Sequence, residues 1–517
     1  MAARSPQPVT LDGRSLSSAA VSAVARDDAP VVFAEEARAR NAAAAQAVEE
    51  LVARGIPVYG VTTGVGPFRS RAVSAADRSD HQLRLLRSHA AGGGRPLSPS
   101  LVRAAMVVRA NQLGAGGGGV SDELLAALLD ALNGGVVPFA RELGSLGTGD
   151  LTVLAEIALA LLGEGRAWRG PELVAAHVAL ADAGVAPARL GVRDGLAFMS
   201  SSAASIGHAA LVAVDADSLL ARALAVAALS FVAAGADPMA LDHRVHAARP
   251  HSGQLAVAAR LRELLGAEAA RRDSATRPVH DPYPFRALPQ VDGAARDALG
   301  GLELVLAVEL NAANENALVD PDAGAVLPNA NFHAAPLALA LDRLRAALAQ
   351  WSALVAARVS ALLDPGLMGL PPALSPRPGP HSGALALEYT AHAAAADVRS
   401  LAAPVATQTA TVGGGIESHA SFAPLAARRA QEALESAAVV VATELVVAFR
   451  ALRMRGSIQV EGEMGELLAR AAQRLGPELG DRALGDDVEA ARRLLLEWRA
   501  PTPTRAPASA RAEFARP

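Results

Sequence analysis

The chain has 517 residues, of which 51% are hydrophobic and only 19% charged, with a net charge of −4. That is enough apolar chain for a large core, and the mixed signs present no basic face to nucleic acid. The lack of cysteine removes disulfides, thiolate nucleophiles and Cys-held metals from consideration.

Ala and Leu dominate and aromatic residues are only 3%, which predicts a mostly helical protein. The opening MAARSPQPVTLDGRS has no apolar core of a signal peptide. The uncharged apolar run 223–236 is shorter than the roughly 20 residues that span a bilayer, so a soluble cytoplasmic protein is expected.

In chain order, EEARARNAAAAQAVEELVARG (35–55) reads as a helix stopped by Gly55. IPVYGVTTGVGPFRSR (56–71) is β-branched and Gly-rich, which predicts a loop with short extended pieces. Helical pattern returns from residue 77 and is broken by AAGGGRP and by GAGGGG (114–119). The second break spells G-x-G-x-x-G, yet it follows a helical segment rather than a strand, so it reads as a flexible helix–helix connection. GSLGTGDL (144–151) leads into LTVLAEIALALL, with Thr148 or Asp150 as a candidate N-cap.

Beyond residue 200 the pattern is one of long helices. In 337–363, Leu337, Leu341, Leu344, Leu348, Trp351, Val355 and Leu362 form one stripe, with Asp342, Arg343 and Arg345 opposite. Further long helices are expected over 292–318 and 423–454, together making a bundle continued across subunits. GLMGLPPALSPRPGPHSG (366–383) reads as a loop, and 500–517 as a disordered tail. The expected division is an N-terminal domain over 1–200, which carries the active-site loops, and a helical bundle over 201–499.

DHRVHAARPH (242–251) holds His243, His246 and His251 without a metal-site spacing, so these histidines read as structural and no metal is expected. Three polar clusters stand in apolar surroundings: VYGVTTGVG (58–66), VHDPYPFRALPQVDGA (279–294), and the pair ELNAANEN (309–316) and NANFHAAP (329–336). On a helix, Asn311, Asn314 and Glu315 would share a face. These clusters could be buried structural networks. A tyrosine on a Gly loop and an arginine able to fork onto a carboxylate also suit an amino-acid substrate.

These clusters, in this order, resemble the histidine and aromatic amino acid ammonia-lyases, which use a methylidene-imidazolone (MIO) group. The correspondence also takes in LRLLRSHAAGGGRPL, VRANQL, GSLGTGDL, ALLGEG, DGLAFMSSS, ARPHSGQ and IESHASF, and so runs over nearly the whole chain. The resemblance implies an all-α, long-helix fold of the aromatic amino acid lyase type and a homotetramer whose active sites are shared between subunits. It also implies elimination of ammonia from a histidine-like or aromatic L-amino acid, with no nucleotide, nucleic acid or membrane partner.

Matched by motif, Tyr59 corresponds to the family's catalytic base, and Tyr283 and Arg286 to its second tyrosine and its carboxylate-binding arginine. His89 matches a position lining the ring pocket in the histidine-type enzymes, and Phe332 matches the aromatic of the family's GNFHG segment. Glu417 matches the glutamate that histidine-type members place near the substrate's imidazole or amine. The departures concern the electrophile. The usual GSVGASGDL is here GSLGTGDL, one residue shorter, which puts Gly147, Thr148 and Gly149 on the triplet that the family cyclises. Ser200 replaces an asparagine of the family's NGT segment, and His280 a glutamine. Glycines at 147 and 149 allow close backbone approach, and dehydration of Thr148 would give an ethylidene. An MIO-like group, an MIO-free lyase or aminomutase, and an inactive scaffold all remain open from the sequence.

Overall fold

The computed structural model describes residues 6–266, 280–456 and 460–498. The tail expected to be disordered, 500–517, lies outside them. The chain is mostly helical, as its composition predicts. Among the described residues there are four small sheets of two or three strands, which the local reading passes over. Val9–Leu11 pairs in parallel with Val31–Phe33, and Gly93–Pro96 runs antiparallel to Arg141–Leu143. Val137–Pro138, Arg166–Arg169 and Glu172–Ala175 form the three-stranded sheet, and Leu318–Asp320 pairs with Ala325–Leu327. Strands of two to four residues are too short to show an alternating pattern.

Two compact units are assembled from discontinuous stretches. The first takes 1–215, 298–345 and 403–431; the second takes 216–297, 346–402 and 432–517. The boundaries therefore do not follow the continuous 1–200 and 201–499 division. Four of the five boundaries fall inside long helices, Ala203–Ala234, Leu288–Glu309, Ala335–Leu363 and Ala423–Arg455, and the fifth follows the helix Leu385–Leu401.

The predicted stripe on Ala335–Leu363 is the core face: Leu337, Leu341, Leu344, Leu348, Trp351, Val355 and Leu362 are all fully buried. Arg345 was expected on the outer side and is buried as well. Its guanidinium donates to the carbonyl of Ala403 at 3.0 Å and pairs with Asp342. The Asp342 carboxylate in turn accepts from the amides of Val405 and Ala406, both at 2.8 Å. Among the described residues two helices, within Asp194–Ala234 and Ala335–Leu363, are long and apolar enough to cross a bilayer by composition, but most of that apolar surface is buried inside the protein.

The helix expected over 292–318 stops at Glu309, so Asn311, Asn314 and Glu315 do not share a helical face. They turn instead to the helix Pro99–Ala115. Arg109 donates to Glu315 at 2.7 Å with both side chains fully buried, Gln112 to Asn314 at 3.4 Å, and Asn111 to Asn311 at 3.0 Å. Leaving an unpaired charge in such surroundings would cost more than the lost helical turn gains, so the polar pairing ends the helix.

The Gly-rich run 114–119 is a buried junction rather than a flexible connection. At Gly119, with φ +68°, a Cβ would sit 2.7 Å from the amide nitrogen of Ala45. Only glycine permits that approach to the helix Glu35–Ala53. In the second unit, His246 is fully buried between the Ala240 carbonyl at 3.1 Å and the Gln254 amide at 3.0 Å, the structural role read from its sequence context.

Candidate active site

Residues 144–151 are held in place from three sides within the first unit. Phe422 donates to the Leu146 carbonyl at 2.8 Å, and the Gly147 carbonyl accepts from the Ala334 amide at 3.1 Å and from Ser421 Oγ at 3.0 Å. Thr148 pairs in an antiparallel bridge with His333, and its Oγ1 donates to Glu417 Oε2 at 2.9 Å. Thr148 is only 8% exposed, so this bond to a carboxylate is sheltered from water. Gly147 and Gly149 have φ of +83° and +95°.

At Gly147 the left-handed backbone is matched by a lack of room. A Cβ there would lie 2.1 Å from Ser421 Oγ, 2.9 Å from the Ala423 nitrogen and 3.0 Å from the Phe422 nitrogen. The hydroxyl of Ser421 fills the space where a side chain would begin. At Gly149 the nearest neighbours of a Cβ stand at ordinary contact, the Phe332 ring among them at 3.8 Å.

Asp150 occupies the N-cap of the helix Leu151–Leu161, but its side chain makes no capping bond. Nor does Thr148 serve as the cap. The Asp150 carboxylate accepts instead from the Ser205 amide at 2.6 Å and from Ser205 Oγ at 2.9 Å, while its own amide donates to the Ser201 carbonyl at 2.7 Å. Burial pushes the Asp150 carboxyl up to about 6, against the pull of those hydrogen bonds. The folded protein thus keeps this proton over a range in which the unfolded chain has lost it. Its contribution to stability is complete below the unfolded value of 3.8 and is lost as pH rises through about 6. Asp150→Asn should therefore gain on the parent by up to about 3 kcal/mol between pH below 4 and pH above 6. Urea midpoints of both proteins across that range check this, and parallel profiles would count against it.

The neighbours of the triplet are tied to the same framework. Ser200 follows the helix Asp194–Met199, is buried, and exchanges hydrogen bonds with the backbone of Asn316 at 3.2 and 3.3 Å. Ser202 Oγ donates to the Phe332 carbonyl at 2.6 Å. Tyr59 sits half-buried on its loop, and its phenol oxygen accepts from the Gly66 amide at 2.9 Å. Gln82 clamps that loop to the Asp194–Met199 helix, donating to the Gly60 carbonyl at 2.8 Å and accepting from the Leu196 amide at 3.1 Å. The single turn Gly66–Phe68 also packs against the turn Gly413–Gly415, just before Glu417. His89 closes the helix Arg78–His89, with Nδ1 2.8 Å from the Leu85 carbonyl.

The first unit thus brings Gly147, Thr148, Gly149, Ser200, Phe332 and Glu417 together and links the Tyr59 loop to them. His280, Tyr283 and Arg286 belong to the second unit. There Arg286 Nε donates to the Asp281 carbonyl at 2.9 Å, and its guanidinium lies 5.5 Å from the centre of the Tyr283 ring. Tyr283 is 68% exposed and lines a cavity of about 960 Å³ with His381, Glu388 and His392. His280 is exposed.

Sequence reasoning missed Ser421, Gln82 and Ser205, although Ser421 stands in the IESHASF segment it singled out. It also missed the pair His333 and His419, whose Nε2 and Nδ1 atoms lie 3.0 Å apart beside the triplet. These contacts join residues far apart in the chain, and no local pattern marks them.

A family profile described as aromatic amino acid lyase matches residues 16–475. A histidine ammonia-lyase of Symbiobacterium thermophilum is 38% identical over 480 residues, 92% of this chain and 94% of the relative. Among solved structures, histidine ammonia-lyase from Trypanosoma cruzi superposes with a TM-score of 0.87 at 30% identity, covering 95% of this chain and 93% of that one. Ergothionase from Treponema denticola, an ergothioneine-degrading enzyme, superposes with a TM-score of 0.90 at 28% identity, covering 95% and 99%. A match of that extent, together with the geometry around Thr148 and Glu417, establishes that the chain belongs to the aromatic amino acid lyase family, as an enzyme of the ammonia-lyase type.

Proposed function

We propose that the enzyme removes the α-amino group and a β-proton from an L-amino acid whose ring carries a hydrogen-bonding group, histidine or a close analogue, leaving an α,β-unsaturated acid and ammonia. The observation that carries this reading is the bond between Thr148 and Glu417 at the stretch corresponding to the family's electrophile. The relatives named histidine ammonia-lyase support the substrate class.

The residues of the triplet fit an internal MIO-like group. The Gly147 carbonyl, which would be attacked, carries two donors, and the Thr148 hydroxyl, which would leave, rests on a carboxylate. Such a group supplies an electrophile that takes up the substrate amine and makes it a leaving group. The chain's own residues do the rest. Tyr59 stands on a clamped loop whose Gly66 amide donates to its oxygen, and there it receives the β-proton. Arg286 holds the substrate carboxylate, and Tyr283 lies beside it. By motif, Glu417 and His89 are assigned to the ring's polar group, Phe332 and Ser200 to the surroundings of the triplet, and His280 to the segment that carries Tyr283 and Arg286. The family resemblance supports a homotetramer in which several subunits share each site, and we place it in the cytoplasm.

A panel of L-amino acids, read by ammonia release and by absorbance of the unsaturated acid, tests the reading. Turnover of L-histidine or an imidazole analogue above phenylalanine is expected, and no ammonia from any member would sink it. Arg286→Lys should lower kcat/KM by roughly ten- to a hundredfold, because a lysine cannot offer the planar fork. A change within twofold would take Arg286 out of carboxylate binding. A second reading, an MIO-free lyase or aminomutase, is favoured by one observation: Gly147 stands where the family has alanine, and no Cβ fits there.

A further inference from the structure

We propose that Ser421 and Glu417 are the residues that mature the triplet, Ser421 for ring closure and Glu417 for dehydration. This deepens the reading above and rests on it. The argument begins with the Gly147 carbonyl. Its oxygen accepts from the Ala334 amide at 3.1 Å and from Ser421 Oγ at 3.0 Å, two donors fixed on different segments of the first unit. A carbonyl so held is polarised, and an oxyanion formed on it is stabilised where it stands. Ser421 is 2% exposed, so little water competes for its proton.

Close packing explains why the triplet begins with glycine. The Ser421 hydroxyl lies 2.1 Å from where a Cβ on residue 147 would be. Donor and side chain therefore exclude each other: the hydroxyl that polarises the carbonyl takes the methyl's place.

In the first step the Gly149 nitrogen bonds to the Gly147 carbonyl carbon. The carbonyl oxygen collects the Gly149 and Thr148 amide protons and leaves as one water, and a C=N bond forms between Gly147 and Thr148. In the second step the Thr148 Cα proton and its hydroxyl leave as a second water, and a Cα=Cβ bond remains. No oxidant or reductant is needed. Glu417 touches the departing Oγ1 at 2.9 Å. Its carboxylate takes the Cα proton and hands it to that oxygen, so the step is proton-neutral overall. Once the hydroxyl has gone, Glu417 is released from Thr148 and can face the substrate.

The test is peptide mass spectrometry across Thr148 on the purified full chain, with circular dichroism and urea midpoints confirming that each variant folds. The parent should be lighter by two waters. Glu417→Gln keeps the size of the side chain and should stop one water short. Ser421→Ala should close its ring on the order of a hundredfold more slowly, which leaves unmodified peptide in freshly made protein. Thr148→Ser, a second folding-neutral variant, should still lose two waters. The proposal is overturned if both Glu417→Gln and Ser421→Ala lose two waters as fast as the parent, an outcome that leaves the lyase reading standing. An unmodified parent that nevertheless releases ammonia also overturns the proposal and spares the lyase. An unmodified parent that releases none overturns both.

Discussion

Tyr59→Phe is expected to lower kcat by about two to four orders of magnitude, the range for a general base removed from its place. The phenol oxygen does one other thing in the fold, accepting from the Gly66 amide at 2.9 Å on a half-buried loop. Loss of that single bond should cost about 1 kcal/mol of stability, so folding and turnover separate cleanly. The clamp from Gln82 to Gly60 and Leu196 remains, and the loop keeps its position without the hydroxyl. Steady-state rates on the substrate found in the amino-acid panel, beside urea midpoints, decide the matter. A rate within a factor of three of the parent would remove Tyr59 from the chemistry.

The second large effect runs against a simple expectation from the family. Gly147→Ala brings the triplet closer to Ala-Ser-Gly, yet it should damage the protein rather than improve it. A non-glycine residue at φ +83° costs about 1–2 kcal/mol. Forcing a methyl against Ser421 Oγ and two backbone nitrogens adds roughly 1–3 kcal/mol of overpacking. A loss of roughly 2–5 kcal/mol should show in the urea midpoint. Pairing it with Ser421→Gly removes the worst contact and should return part of the loss; the contacts to the Phe422 and Ala423 nitrogens persist. If the single variant matches the parent in stability, residues 421–423 yield more easily than their packing implies.

Much of the helical framework was legible because its information is local. The stripe from Leu337 to Leu362 repeats every three or four residues, and each member proved fully buried. What periodicity could not show is where buried polar groups find partners. Glu315 meets Arg109 across 206 residues of chain, and that pairing, not a helix stop signal, ends the helix at Glu309. Arg345 reads as a solvent-side charge by its spacing and lies inside because Ala403 offers it a carbonyl. The site repeats the lesson. Tyr59, Thr148 and Glu417 could be named from motif order alone. The bond from Thr148 to Glu417 spans 269 residues, and that from Ser421 to Gly147 spans 274. Neither distance nor direction is written in a local pattern, so Ser421 stayed hidden inside a motif already marked. Asp150 stands where a helix cap is expected, and it serves Ser205 instead because a buried hydroxyl and amide are on offer.

The interleaving of the two compact units has a consequence for how the chain is made. The first unit includes 403–431, and two residues that hold the triplet, Glu417 on Thr148 and Ser421 on Gly147, lie in that last stretch. A ribosome must therefore deliver more than four fifths of the 517 residues before the first unit can be completed. Until then residues 1–215 hold apolar faces with no permanent cover, the condition in which nascent chains recruit chaperones. Trimming the protein to its N-terminal 200 residues should give an aggregating fragment, and fusing cargo to the C-terminus should burden folding less than an insertion between the two halves of any shared helix.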